Sequence, residues 1–191
     1  MSTSSQIDPR ERMIESAATL FRERGVHGTS FSDVLAHSAA PRGSIYHHFP
    51  GGKAQLAEEA TRYAGDFIAG GLAAGLAQED PVAAIRAFAE LWRGILERSD
   101  FSSGCSVVSA TLEGERTPAA RDAAGAAFRR WEELLMEAFG RQGVAPERAM
   151  SLATLAIAAI EGAIVLSRAQ RSSAPLERVC DELETLVAAA V

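Results

Sequence analysis

Pro41-Arg42-Gly43-Ser44-Ile45-Tyr46-His47-His48-Phe49-Pro50-Gly51-Gly52-Lys53 reads as a short helix carrying its own stop signal. Pro41 suits a first helical turn, and Pro50-Gly51-Gly52 cannot continue one, so a helix is expected over Arg42 to Phe49. Ile45 and Phe49 are i and i+4 and share one face, which points them inward. The outer face then presents Arg42 for a phosphate or guanine, Ser44 for a base edge or phosphate, and Tyr46 and His47 as polar, partly aromatic donors. Gly43 lets a backbone approach closely. The helix N-terminus aims unpaired N–H groups toward phosphates, and Lys53 adds a clamp at the start of the next helix.

Upstream, Asp8-Pro9 is a cap followed by an N1 proline, and Met13, Ala17, Leu20 and Phe21 form one apolar face before Gly25 ends helix 1. After Val26-His27-Gly28, Thr29 or Ser30 can cap a second short helix running through Ser38. Asp33, three residues after Ser30, suggests a capping box. Two short helices on a supporting first helix, followed by a long fourth, form a helix-turn-helix whose second helix enters the major groove.

Downstream, no stretch alternates as a strand would, and the fold class is all-α with about nine helices. Helix 4 starts near Lys53, and Gly70, Gly71 and Gly75 suggest a kink or early end near Gly70. Asp80-Pro81, Thr117-Pro118, Ala145-Pro146 and Ala174-Pro175 open helices over 81–98, 118–141, 146–170 and 175–190, with a shorter one within Gly104 to Glu115. Residues 1–55 are expected to form the DNA-binding domain and 56–191 a helical effector-binding and dimerisation domain.

The 191 residues are 47% hydrophobic and 23% charged, the make-up of a folded protein with a real core. A net charge of −6 argues against coating nucleic acid by bulk charge, so any basic surface is local. Residues 1–55 hold six Lys/Arg against five Asp/Glu and all four histidines, whereas the remainder holds thirteen against twenty. Two cysteines, Cys105 and Cys180, make neither a disulfide framework nor a zinc site. His47 and His48 are adjacent and diverge on a helix, which disfavours a metal site, and no cofactor is expected. The opening residues lack an apolar signal segment, so a cytoplasmic location is expected. Leu152 to Leu166 is too short for a bilayer span and suits a buried or interface helix.

Gly28-Thr29-Ser30-Phe31-Ser32-Asp33-Val34, followed by Pro41 through Phe49 and Lys53, resembles the DNA-binding signature of TetR-family repressors. The run Tyr46-His47-His48-Phe49-Pro50-Gly51-Gly52-Lys53 with a downstream Gly104-Cys105 is similar to the LmrA/YxaF-like subgroup. The resemblance implies a homodimeric bacterial transcription factor, usually a repressor, whose C-terminal domain binds a small molecule and thereby releases operator DNA. By position it implies that Thr29 and Lys53 meet phosphates and that Arg42, Ser44, Tyr46 and His47 face the groove, with Ser30 and Gly43 alongside. Pro41 departs from the pattern, since many members carry a capping Ser or Thr there.

In the C-terminal half, Phe88, Trp92, Phe128, Trp131, Met136 and Phe139 at helical spacing read as core, and some of them must line any effector pocket. Arg93, Ser109, Thr111, Glu113 and Glu161 are polar groups within apolar helices and candidates to orient a largely apolar ligand. Cys105 reads as a small buried hydrophobe, with a redox-sensing thiol as the alternative. Leu152, Leu155, Ile160, Ile164, Leu183 and Leu186 suggest dimerisation through the last two helices. A helical interaction module without DNA binding is the remaining alternative. No nucleophile elbow, phosphate loop or metal motif suggests an enzyme.

Overall fold

The computed structural model describes residues 8–41, 43–77, 80–113 and 115–190. Within them the chain forms α1 (Pro9–Arg24), α2 (Phe31–Ser38), α3 (Ser44–His48), α4 (Gly52–Leu76), α5 (Pro81–Arg98), α6 (Ser106–Leu112), α7 (Pro118–Arg141), α8 (Pro146–Gln170) and α9 (Ala174–Ala188), with no strand among the described residues. Prolines set the starts as expected, because a residue lacking an N–H loses nothing in a first turn. Asp8 and Asp80 each accept backbone N–H bonds as side-chain caps, onto Arg10 and onto Val82 and Ala83.

The chain groups into two compact units: the residues through Ala64 together with Ser106–Ala124, and Gly65–Cys105 together with Gly125–Val191. In the first, α1 packs on α2, α3 and α6 around Met13, Phe21, Ile45, Phe49 and Leu56, each at most 1% exposed. In the second, α5, α8 and α9 pack together around Trp92, Leu96, Leu152, Ile164 and Leu176.

Two expectations change. Helix α4 neither stops nor shortens at Gly70 but continues through Gly70 and Gly71 to Leu76. Two of its glycines serve packing instead: a Cβ on Gly65 would lie 2.6 Å from the Ala127 Cβ, and one on Gly75 would meet Ala84 of α5 at 3.5 Å. Trp131 fastens the same crossing by donating its indole N–H to the Gly65 carbonyl at 3.0 Å. Second, Leu152, Ile160, Ile164 and Leu183 are core residues of their own chain, at most 5% exposed, so they are not surface for a partner. The apolar side chains left outside on α8 are Met150, Leu155, Val165 and Leu166. Helix α8 is long and apolar enough by composition to cross a membrane, yet only 39% of its most apolar window is buried.

Candidate nucleic-acid interface and effector cavity

The interface is built on Gly25, where φ of +79° ends α1 and turns the chain toward α2. Ser30 caps α2: its hydroxyl accepts from the Asp33 N–H, and the Asp33 carboxylate accepts from both the hydroxyl and the N–H of Ser30. The capping box is therefore present, and the Ser30 bonds hold the Asp33 carboxyl below its ordinary value. The Thr29 side chain faces inward. It is 1% exposed and donates to the Gly25 carbonyl at 2.9 Å, so it braces the loop and presents no hydroxyl for a phosphate.

Helix α3 is shorter than the sequence suggested, five residues from Ser44 to His48, because Ser44 turns back through its N–H and its hydroxyl onto the Pro41 carbonyl. So short a helix has little macrodipole, which weakens the argument from its N-terminus. Its division of faces is as expected. Ile45 and Phe49 are fully buried, whereas Tyr46 is 68% exposed and His47 is exposed. The Tyr46 ring stands edge-on to Phe31 at 5.5 Å, which holds it upright on the surface. Gly43 is exposed with open space where a Cβ would stand, and Arg42 lies outside the described residues. Lys53, half-buried, donates to the His27 carbonyl at 3.3 Å, so its ammonium lies against the loop before α2.

That loop is gripped by a residue the sequence did not assign to it. Glu113, just past the end of α6, accepts from the backbone N–H groups of Val26 (3.2 Å) and His27 (2.6 Å) and pairs with His27 Nδ1. Burial alone would raise the Glu113 carboxyl, but the His27 and Val26 bonds override it and hold the group below its ordinary value. Ser109 faces the same carboxylate at 3.5 Å. Both residues were expected in the effector pocket; α6 instead carries them into the first compact unit. Polarity within an apolar helix marked them as special, but the partners of Glu113 stand more than eighty residues away, beyond any local pattern.

The second unit holds a small apolar cavity of about 30 Å³, bordered by Leu72, Phe88, Trp131, Ile160, Leu183 and Glu161. Three expected residues, Phe88, Trp131 and Glu161, thus meet there. Cys105 joins them by donating its thiol hydrogen bond to the Glu161 carboxyl. Trp92 and Phe128 stand behind as edge-on partners of Phe88 (6.4 Å) and Trp131 (5.1 Å). Arg93 does not line it; Glu90 and Glu97 on its own helix hold its guanidinium. Glu161 keeps some surface through the cavity mouth, but its carboxyl is surrounded by apolar atoms, and this desolvation raises it to about 7 against the opposing pull of Cys105. Cys180, also buried, donates to Glu184 and is pushed up to about 12 by burial first and Glu184 second. Among the described residues no cluster of His, Cys, Asp and Glu could hold a metal.

Comparison with known proteins converges. Residues 13–60 match the family model of bacterial regulatory proteins of the tetR family, and residues 81–182 match that of the C-terminal domain of LmrA/YxaF-like transcriptional regulators. An HTH-type transcriptional regulator of Mycobacterium tuberculosis is 42% identical over 187 residues, 95% of each chain. The HTH-type transcriptional regulator LmrA of Bacillus subtilis is 33% identical over 171 residues, covering 88% of this chain and 91% of LmrA. The crystal structure of a TetR transcriptional regulator from Chloroflexus aurantiacus superposes with a TM-score of 0.79 at 33% identity, over 95% of this chain and 94% of that one.

Proposed function

This chain belongs to the TetR family, in its LmrA/YxaF-like branch, and is a DNA-binding transcriptional regulator; from that premise we propose that it is a homodimeric repressor released from a pseudo-palindromic operator by a small molecule. The observation that carries the reading is the split of α3, with Ile45 and Phe49 sealed in the core and Tyr46 and His47 turned to solvent. Residues 1–55 supply the operator contacts, through Arg42, Gly43, Ser44, Tyr46, His47 and Lys53. Residues 56–191 supply the effector cavity and the dimer face. Two copies of α3 must reach successive major grooves about 34–36 Å apart, and a two-fold dimer meets that spacing.

The dimer surface is the exposed stripe Leu155, Ala159, Gly162 and Leu166 of α8, spaced by four, three and four residues, together with Val179 and Leu186 of α9, which border the same open groove except for Gly162. Gly162 leaves room for close helix approach, as no atom stands within 4 Å of its Cβ position. The effector is apolar in the main and lies against Phe88 and Trp131, in the cytoplasm where the operator is. The role is regulatory and not catalytic, and ligand occupancy of the cavity, not oxidation of Cys105, is the signal.

Gel-shift titration with DNA upstream of the protein's own gene tests this. Tyr46→Ala and Lys53→Ala should each weaken binding by about ten- to a hundredfold with unchanged circular dichroism, and Lys53→Ala should also flatten the salt dependence. Wild-type affinity in both variants overturns the groove assignment.

A further inference from the structure

We propose that the effector is an apolar amine, a compact hydrocarbon or aromatic skeleton bearing one protonated nitrogen that seats on Glu161. This deepens the cavity reading above and rests on it. Among the described residues Glu161 is the only charged one bordering the cavity; its neighbours there are hydrocarbon, and the Trp131 indole N–H is already engaged by Gly65. Its polar partner among the described residues is the Cys105 thiol, a weak donor without charge.

Among the described residues no cation perturbs it, those of α7 included. Arg86 of α5 pairs with Glu184 of α9, Arg93 of α5 with Glu90 and Glu97, and Arg168 of α8 donates to the Ser102 carbonyl. Along α8 the residues one turn away are Ile157, Ala158, Ile164 and Val165, and Glu161 lies too far from either helix end to draw on a terminal dipole. A carboxyl in such a setting lacks a positive charge to hold it ionised, and a cationic ligand supplies one.

The chemistry selects among ligands. An ammonium forms a charge-assisted bond in a water-poor cavity, with the rings of Phe88 and Trp131 adding attraction for a cation. A carboxylate of the same shape meets like charge and desolvation together. A neutral alcohol gains only an ordinary hydrogen bond. Because burial leaves the Glu161 carboxyl with a pKa of about 7, an incoming ammonium drives it fully to carboxylate, and about half a proton per site is released to buffer at pH 7.

The test titrates the full-length protein with three probes of one skeleton: phenylbutylamine, phenylbutanol and phenylbutyrate. Calorimetry, run in two buffers of different ionisation enthalpy, is paired with tryptophan fluorescence. The amine should bind about tenfold more tightly than the alcohol and release protons, and the butyrate should not bind measurably. Glu161→Gln should erase the amine preference and the proton release while leaving alcohol affinity within about twofold. Alcohol binding as tight as amine binding in the wild-type protein, or an amine preference that survives Glu161→Gln, overturns the proposal and leaves the cavity reading intact. Failure of all three probes to bind overturns both. The wild-type comparison of probes decides the matter even if the variant does not fold.

Discussion

Replacing Glu113 by alanine should loosen the loop that positions the DNA-reading helices without touching the DNA face. Four donors converge on this carboxylate: the N–H groups of Val26 and His27, the His27 ring and, at the long distance of 3.5 Å, the Ser109 hydroxyl. Hydrogen bonds to an ionised acceptor contribute about 1.5–3 kcal/mol each when well buried. Here the Glu113 and His27 side chains are 27% and 35% exposed, so water replaces part of what is lost, and the ring pairing falls toward the value of a surface pair, about 0–1 kcal/mol. The combined loss should be about 1–2 kcal/mol, read as a shift in the urea midpoint at pH 7 with unchanged slope. Amide exchange at Val26 and His27 should quicken by about five- to thirtyfold. The Glu113 carboxyl titrates below its ordinary value of 4.5, so its contribution is fully present above that pH and lost as the pH falls through the folded value. The gap between wild type and variant should therefore close in acid. If exchange at Val26 and His27 is unchanged at pH 7, the clamp does not hold the loop.

Three further outcomes follow from the packing. Gly65→Ala puts a methyl into Ala127 and should cost about 1–2 kcal/mol net of its gain in helix propensity; thermal unfolding will show the loss, and Ala127→Gly should restore it. Gly70→Ala enters open space on an exposed face of α4 and should instead stabilise by about 1 kcal/mol, raising the melting temperature. Leu166→Arg places a charge in the proposed dimer face and should give a folded monomer in sedimentation at micromolar concentration; a persistent dimer moves the interface elsewhere.

Helix starts were legible because proline, Asp caps and the Ser30–Asp33 box are local rules, and the structure puts α1, α5, α7 and α8 at the expected prolines. The inward pair Ile45 and Phe49 was legible for the same reason, since i,i+4 spacing decides the face. Local rules failed where a distant partner decided. The glycines of α4 lower helix propensity, but Ala127, Trp131 and Ala84 pack against that helix, and tertiary contact overrides the cost. Ser109 and Glu113 looked like pocket lining because an apolar helix with polar insertions says nothing about which neighbour it will face. On α8, apolar residues surround the helix, so composition alone could not separate Leu152 and Ile164 of the core from Leu155 and Leu166 outside.

Cys105 touches Glu161, and the very next residue, Ser106, opens α6, at whose far end Glu113 grips the reading head's loop. A single peptide bond therefore joins a residue at the cavity of one compact unit to the first helical residue of α6 in the other.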